Sequence, residues 1–230
     1  MNKKFLKTVF IKTLPVMTGY IALGIGFGIL FNSHGYGLLW SVLMAALVYA
    51  GSMQYVAINL ISGGASLITI ALTTLLVNAR HLFYGISMIG KYKDAGKKKP
   101  YLIFALTDET YSLLCSDFYP ENADKGKYQL AVSLANHLYW ITGCALGSLI
   151  GSAIPFNTAG IDFCMTALFV TIFIEQWLST KKHLPAVIGL ASAVICLLIF
   201  GADAFLIPTM TLISVSLILL KRFIKEAENE

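Results

Sequence analysis

Arg80 and His81 stand side by side near the middle of an otherwise apolar stretch that runs from Ser66 to Ile89. At 1.5 Å of rise per residue, the arginine would lie roughly 21 Å along a continuous helix. A guanidinium at that depth in hydrocarbon is disfavoured by at least about 2.5–3.5 kcal/mol. A carboxylate, unwound backbone carbonyls or a water-filled cavity must therefore compensate it. Asp108 and Glu109 supply the opposite charge from the centre of another apolar stretch. Opposite charges at mid-membrane depth form a neutralised pair that can open to a ligand or a proton. Asn136 with His137, Glu175 with Gln176, and Ser52 with Gln54 are further polar residues in apolar surroundings. All should face an interior rather than lipid. The plainer alternative to a functional role is interhelical hydrogen bonding, worth about 0.6–2 kcal/mol per bond.

Glycine spacing adds a second set of signals. Gly24 and Gly28, and then Gly143, Gly147 and Gly151, stand four residues apart, so each set lies on one helix face. Such faces let another backbone approach closely, from the same chain or from a partner subunit. Gly51-Ser52 immediately precedes Gln54, and an unwound turn there would aim free N–H groups at an anion such as a carboxylate.

The elements that must position these groups are apolar helices. Hydrophobic residues make up 57% of the 230-residue chain and charged residues 13%, about half the charge of a soluble domain. The pattern predicts an all-α polytopic integral membrane protein in a single membrane domain, with no room for an extramembrane one. Eight apolar segments can be drawn: Leu14–Phe31, Leu38–Leu60, Ser66–Ile89, Tyr101–Asp117, Tyr128–Gly151, Asp162–Leu178, Leu184–Gly201 and Phe205–Leu220. The net charge of +5 reflects lysines beside these segments, a juxtamembrane pattern and not a nucleic-acid surface. The four cysteines have no C-x-x-C spacing, so neither a metal site nor a disulfide framework is expected.

Orientation exposes a conflict. Basic residues place the N-terminus, the 91–99 loop, the 181–183 loop and the C-terminus on the cytoplasmic side. Three apolar segments precede Lys91, and three full crossings would put that loop outside. One early segment should therefore be broken or re-entrant, a geometry tolerated where it lines a polar cavity. Tyr49–Gly64, with Gly51, Gly63 and Gly64, suits that role. Among the six to eight apolar segments possible, six or eight crossings satisfy the parity. An internal repeat is also indicated: Ala22-Leu23-Gly24 with Gly28 recurs as Ala145-Leu146-Gly147 with Gly151, and Met53-Gln54-Tyr55 recurs as Glu175-Gln176-Trp177. The near-constant offset divides the chain into halves 1–127 and 128–230, with a site expected where they meet.

No G-x-S-x-G, H-E-x-x-H or phosphate-cradling glycine loop is present, so the chain is not expected to be an enzyme and no cofactor is implied. A membrane-embedded hydrolase using His81 with Asp108 would lack an evident nucleophile. Four strings together resemble one family: Pro15-Val16-x-x-Gly19 with Phe27-Gly28; Tyr49-Ala50-Gly51-Ser52-x-Gln54-Tyr55; Asn78-x-Arg80-His81-x-x-Tyr84-Gly85; and Thr107-Asp108-Glu109. The chain resembles the AzlC family, the large subunit of branched-chain amino-acid exporters, most closely in its first half. Ala79 departs from the bulkier aliphatic residue expected between Asn78 and Arg80. The resemblance implies a bacterial inner-membrane exporter of leucine, isoleucine and valine, sometimes methionine, acting with a small AzlD-type membrane subunit.

Such a substrate is a zwitterion with an aliphatic side chain. Arg80, or an unwound Gly51-Ser52 turn, could hold its carboxylate. Asp108 or Glu109 could hold its ammonium, with Gln54, Asn78, His81 and Tyr84 completing the polar contacts. Proton antiport is the simplest driving force. Burial favours a neutral carboxyl while a nearby guanidinium favours an ionised one, which makes Asp108 the first candidate for the coupling group, with Glu109, Glu175 and His81 behind it. A channel, or a carrier for another small zwitterion or organic anion, is the alternative reading.

Overall fold

The computed structural model describes residues 3–93, 95–115, 124–153, 163–179 and 183–226. Every regular element among them is helical. The chain divides into two compact units, Met1–Leu168 and Phe169–Glu230.

The first unit is organised by two long helices, α1 (Lys3–Ser33) and α8 (Lys125–Ala153). They cross on the glycine faces. A Cβ at Gly24 would stand 2.9 Å from the backbone of Gly143 and Cys144, and one at Gly143 would stand 2.8 Å from the Tyr20 carbonyl. Gly28 against Cys144 and Gly147 against Ile25 are tighter still. These faces are occupied within the chain and do not await a partner subunit. Tyr55 braces the crossing by donating to the Leu23 carbonyl at 2.7 Å, and Ser41 does so by donating to that of Cys144 at 3.1 Å. Asp124 starts α8 by accepting from the Lys127 N–H at 3.0 Å, a bond that holds its exposed carboxyl below the usual carboxylate range.

Between α1 and α8, each predicted apolar segment is broken into two shorter helices. Leu38–Leu60 becomes α2 (Leu38–Leu47) and α3 (Gly51–Ser62). Ser66–Ile89 becomes α4 (Leu67–Val77) and α5 (Arg80–Met88), bent by 49°. The stretch from Tyr101 becomes α6 (Lys99–Phe104) and α7 (Asp108–Leu114).

The causes differ from break to break. At the first, the strained residue is Tyr49, whose φ of 43° lies in the left-handed region, where a side chain costs about 1–2 kcal/mol. Its buried ring stacks on His137 at 4.1 Å and meets Tyr20 edge-on. Gly51 was the expected point of unwinding, but it begins α3, and its missing Cβ leaves room for the Trp140 indole, which a Cβ would approach to 3.1 Å. Gly63 and Gly64 end that helix. At the second break, Asn78 leaves the helical region with φ −90° and ψ 3°. At the third, Thr107 is an N-cap whose hydroxyl accepts from the Thr110 N–H at 3.3 Å. Asp108 and Glu109 therefore open a helix and do not interrupt one.

The second unit contains α10 (Leu184–Ala204), kinked at Gly201 with φ 73°, packed on α11 (Leu206–Glu226). The boundary between the units falls within α9 (Phe163–Ser179). Two helices among the described residues, α1 and Leu184–Gly201, are long and apolar enough to cross a membrane, and the bent α4–α5 pair makes a third if it is one span. The other predicted segments are too short or too polar to qualify alone.

Candidate functional site

Three helix starts meet at one arginine. Arg80 opens α5, Ser52 is the second residue of α3, and Asp108 opens α7. Arg80 Nη1 donates to Asp108 Oδ2, and Nη2 donates to Ser52 Oγ at 2.6 Å. About a quarter of each charged side chain is exposed, 26% for Arg80 and 25% for Asp108. A charged group there is matched by its opposite without being sealed from solvent. The compensation required by the guanidinium thus comes from a carboxylate and a hydroxyl presented by two other broken helices.

Several buried polar atoms around these starts have no hydrogen-bond partner among the described residues. Arg80 Nε and Gln54 Nε2 are donors; Asn78 Oδ1, Asp108 Oδ1 and Asn136 Oδ1 are acceptors. Buried polar atoms usually find partners, so such a set marks a place built for something other than helix packing.

A cavity of about 370 Å³ adjoins the same breaks. Tyr49 and Ala50 from the first break, Asn78 and His81 from the second, and Leu106 from the third contribute to its wall. Leu82, Met88, Ile89, Ile103 and Phe104 make the rest mostly apolar, with Tyr92 and Lys99 beside them. That size falls in the range of small-molecule sites, about 300–1,000 Å³. Arg80 and Asp108 are not in the wall. His81 is, with its Nδ1–H donating to the Asn78 carbonyl at 3.1 Å.

Other residues singled out in the sequence are held elsewhere. Gln54 is fully buried, and its Oε1 accepts from the Trp140 indole N–H at 2.8 Å, a bond between α3 and α8. Tyr84 stacks on Tyr111 at 4.7 Å and meets His81 edge-on at 6.1 Å. Glu109 accepts from the Tyr20 hydroxyl at 2.7 Å. Glu175 lies on α9, and its side chain is outside the described residues. Asn136 donates to Thr110 Oγ1 at 3.0 Å, and His137 Nδ1 is 3.0 Å from the Tyr101 hydroxyl.

Tyr20 was not among the residues singled out in the sequence, and Thr107 entered only as part of the Thr107-Asp108-Glu109 string. The Tyr20 hydroxyl is 2.6 Å from Thr107 Oγ1 as well as bonded to Glu109. A phenol in the middle of an apolar helix was the available signal, because a buried tyrosine hydroxyl normally needs a partner.

Comparison with known proteins identifies a family. The family model described as AzlC protein matches residues 15–154. The chain is 45% identical to the branched-chain amino acid transport protein AzlC of Bacillus subtilis, over 96% of this chain and 87% of that one. It is 45% identical to a Haemophilus influenzae chain described as an uncharacterized membrane protein, over 95% and 89%. It is also 26% identical to the inner membrane protein YgaZ of Escherichia coli, over 87% and 82%. No solved structure matches the chain significantly.

Proposed function

The chain belongs to the AzlC family, and from that premise we propose that it is a secondary transporter exporting branched-chain amino acids across the bacterial inner membrane. The observation that carries the reading is the Arg80–Asp108 pair at three broken-helix starts beside a largely apolar cavity. A branched-chain amino acid needs donors for its carboxylate, acceptors for its ammonium and an apolar wall for its side chain. Arg80 and Ser52 are the donors, Asp108 and Asn78 the acceptors, and Leu82, Ile103 and Phe104 the wall. His81 lines the cavity and directly follows Arg80 in the chain. The substrate enters by parting the ion pair, exchanging each partner for its own opposite charge.

Lys99 and Tyr92 in the cavity wall belong to the basic stretch that the positive-inside rule assigns to the cytoplasm. That position supports loading from the cytoplasmic side, as export requires. In this reading α1 and α8 are the equivalent first helices of two repeat halves, the early broken helices bring the basic stretch back to the cytoplasmic face, and both termini are cytoplasmic. A small membrane subunit of the AzlD type completes the exporter, and proton antiport drives it.

The test is efflux of labelled leucine from preloaded vesicles holding the chain alone, the chain with its small partner, or the Arg80→Ala variant with that partner. Saturable, partner-dependent efflux that disappears in Arg80→Ala is the expected result. Absence of leucine flux with both proteins folded in the membrane would overturn the substrate assignment.

A further inference from the structure

We propose that Glu109, and not Asp108, is the group whose protonation drives the transport cycle, and that a hydroxyl chain through Tyr20 couples it to the helix crossing; this rests on the transport reading above. Asp108 and Glu109 are neighbours at the start of α7 but lie in different surroundings. Asp108 is bonded to a guanidinium, so its charge is balanced in place. Glu109 Oε2 has the neutral Tyr20 phenol as its hydrogen-bond donor. Among the described residues whose side chains are placed, these two are the partly buried acids, Asp124 being exposed. A carboxylate held by a neutral donor in a membrane interior gains most from taking up a proton.

The hydrogen count around Tyr20 strengthens the assignment. The Tyr20 hydroxyl is 2.7 Å from Glu109 Oε2 and 2.6 Å from Thr107 Oγ1. Thr107 in turn donates to Thr110 Oγ1 at 3.1 Å, and Asn136 Nδ2 donates to that same oxygen at 3.0 Å. A phenol has one hydrogen. With Thr107 donating to Thr110, the Tyr20 hydrogen must go to Thr107, and Glu109 has to bring its own proton to the short contact with Tyr20. With Glu109 ionised, Tyr20 turns its hydrogen to the carboxylate and accepts from Thr107, which releases Thr110. Each protonation state of Glu109 thus fixes one direction of donation along Tyr20, Thr107 and Thr110. That chain joins α1 to α7, and Asn136 extends it to α8.

The titratable and charged groups around Glu109 are consistent with this role. Tyr20 of α1 donates to it, and Tyr49 of the first break lies edge-on to Tyr20. Asp108 precedes it on α7 and is paired with Arg80 of α5, while Tyr84 of α5 stacks on Tyr111. From α8, His137 is turned to Tyr49 and Tyr101. The cation nearest in this set, Arg80, gives its hydrogen bonds to Asp108 and Ser52.

The experiment uses the full chain with its small partner in vesicles, comparing wild type, Glu109→Gln, Asp108→Asn and Tyr20→Phe. In wild type an inward-directed proton gradient of one pH unit should support about tenfold uphill movement of leucine for one-to-one exchange. Glu109→Gln should show leucine counterflow that is flat with pH, whatever its amplitude, and no response to the gradient. Tyr20→Phe keeps the carboxyl but removes the donor to its ionised form, so the pH midpoint of counterflow should move up by about one to two units. Retention of wild-type gradient coupling in Glu109→Gln overturns the proposal.

A second measurement needs no substrate. Infrared spectra of the reconstituted protein at acidic pH should show a protonated carboxyl band that persists in Asp108→Asn and vanishes in Glu109→Gln. The reverse pattern also overturns the proposal. Absence of leucine flux in wild type, with the band still assigned to Glu109, would fault the substrate reading and leave the proton site standing.

Discussion

Arg80 and Asp108 are each the first residue of a helix that starts at a break, and they are ion-paired across those two starts. The positive end of a helix suits a carboxylate and opposes a guanidinium, each by about 0.3–1 kcal/mol at an exposed end. Asp108 is thus well placed on α7, and Arg80 is poorly placed on α5. The pair corrects the second helix with the first. The bond between them, with the one from Arg80 to Ser52, keeps a cation at the head of α5 and holds the two broken helices together until something else satisfies both charges.

Removing one partner leaves the other partly buried and unpaired. Breaking a fully buried pair costs about 3–5 kcal/mol. With a quarter of each side chain exposed, Asp108→Asn and Arg80→Ala should each destabilise the protein by about 1–3 kcal/mol. The check is thermal unfolding in detergent micelles. The reversed double variant Arg80→Asp with Asp108→Arg should recover most of that loss, because both charges still sit at helix starts. It should not recover leucine efflux, since the cation then heads α7 and no longer adjoins Asn78 and His81. Recovery of efflux would show that the pair serves the fold alone.

The glycine face gives a sharper contrast. A Cβ at Gly28 would run into the Cys144 carbonyl and lie 2.5 Å from the Ser148 nitrogen, both of them backbone atoms that cannot swing aside. Gly28→Ala should therefore cost about 1–3 kcal/mol and lower the yield of folded protein. Gly19 is on the same helix, and a Cβ there meets nothing within 4 Å. Gly19→Ala should be neutral or stabilising by up to about 1 kcal/mol, as expected for alanine replacing glycine within a helix. Parallel melting curves of the two variants decide this.

How much of this was legible in the sequence depended on whether the cause was local. The glycine spacing named the faces on which α1 and α8 cross. Arg80 announced its need for compensation by depth alone, and a carboxylate proves to be among its partners. Thr107 followed by two acids is a helix-start signal, but a hydropathy window averages across a break and made Asp108 and Glu109 look central to one span. A break within Tyr49–Gly64 was expected from its glycines, but nothing local marked Tyr49 itself as the strained residue. Its positive φ persists because His137, 88 positions later, stacks on the ring, and tertiary packing of that kind has no local sequence signature. The bond that holds the Gln54 carbonyl is non-local for the same reason, its partner Trp140 lying 86 positions later.

Gln54 should accordingly behave as part of the fold. Gln54→Leu leaves the Trp140 indole N–H buried without an acceptor, a loss of about 1–3 kcal/mol. Trp140→Phe leaves the Gln54 carbonyl stranded at a similar cost. The double variant should be less destabilised than the two losses added together, with a coupling of about 1 kcal/mol or more in a double-mutant cycle. Affinity for leucine, measured on whichever variants fold, should stay within about threefold of wild type, since the residue's carbonyl is committed to the helix crossing. A selective loss of affinity with normal stability would instead return Gln54 to the substrate site.

The cavity itself can be tested by filling it from a position where the fold has room. Gly85 contributes to its wall, and a Cβ built there meets nothing within 4 Å. Gly85→Leu should therefore fold, because α5 gains a better helix former and the new side chain enters open space. It also removes part of a volume of about 370 Å³ lined by Leu82, Ile103 and Phe104. If the aliphatic part of the substrate occupies that space, the apparent KM for leucine should rise by at least about tenfold, as for a pocket that loses one good apolar contact. Valine, one methylene shorter, should suffer less, so the preference between the two should shift toward valine. Equal loss for both, with normal unfolding temperature, would mean that the cavity is a passage and that side-chain selection happens elsewhere along α5 and α7. An unchanged KM for both would place the substrate outside the cavity altogether.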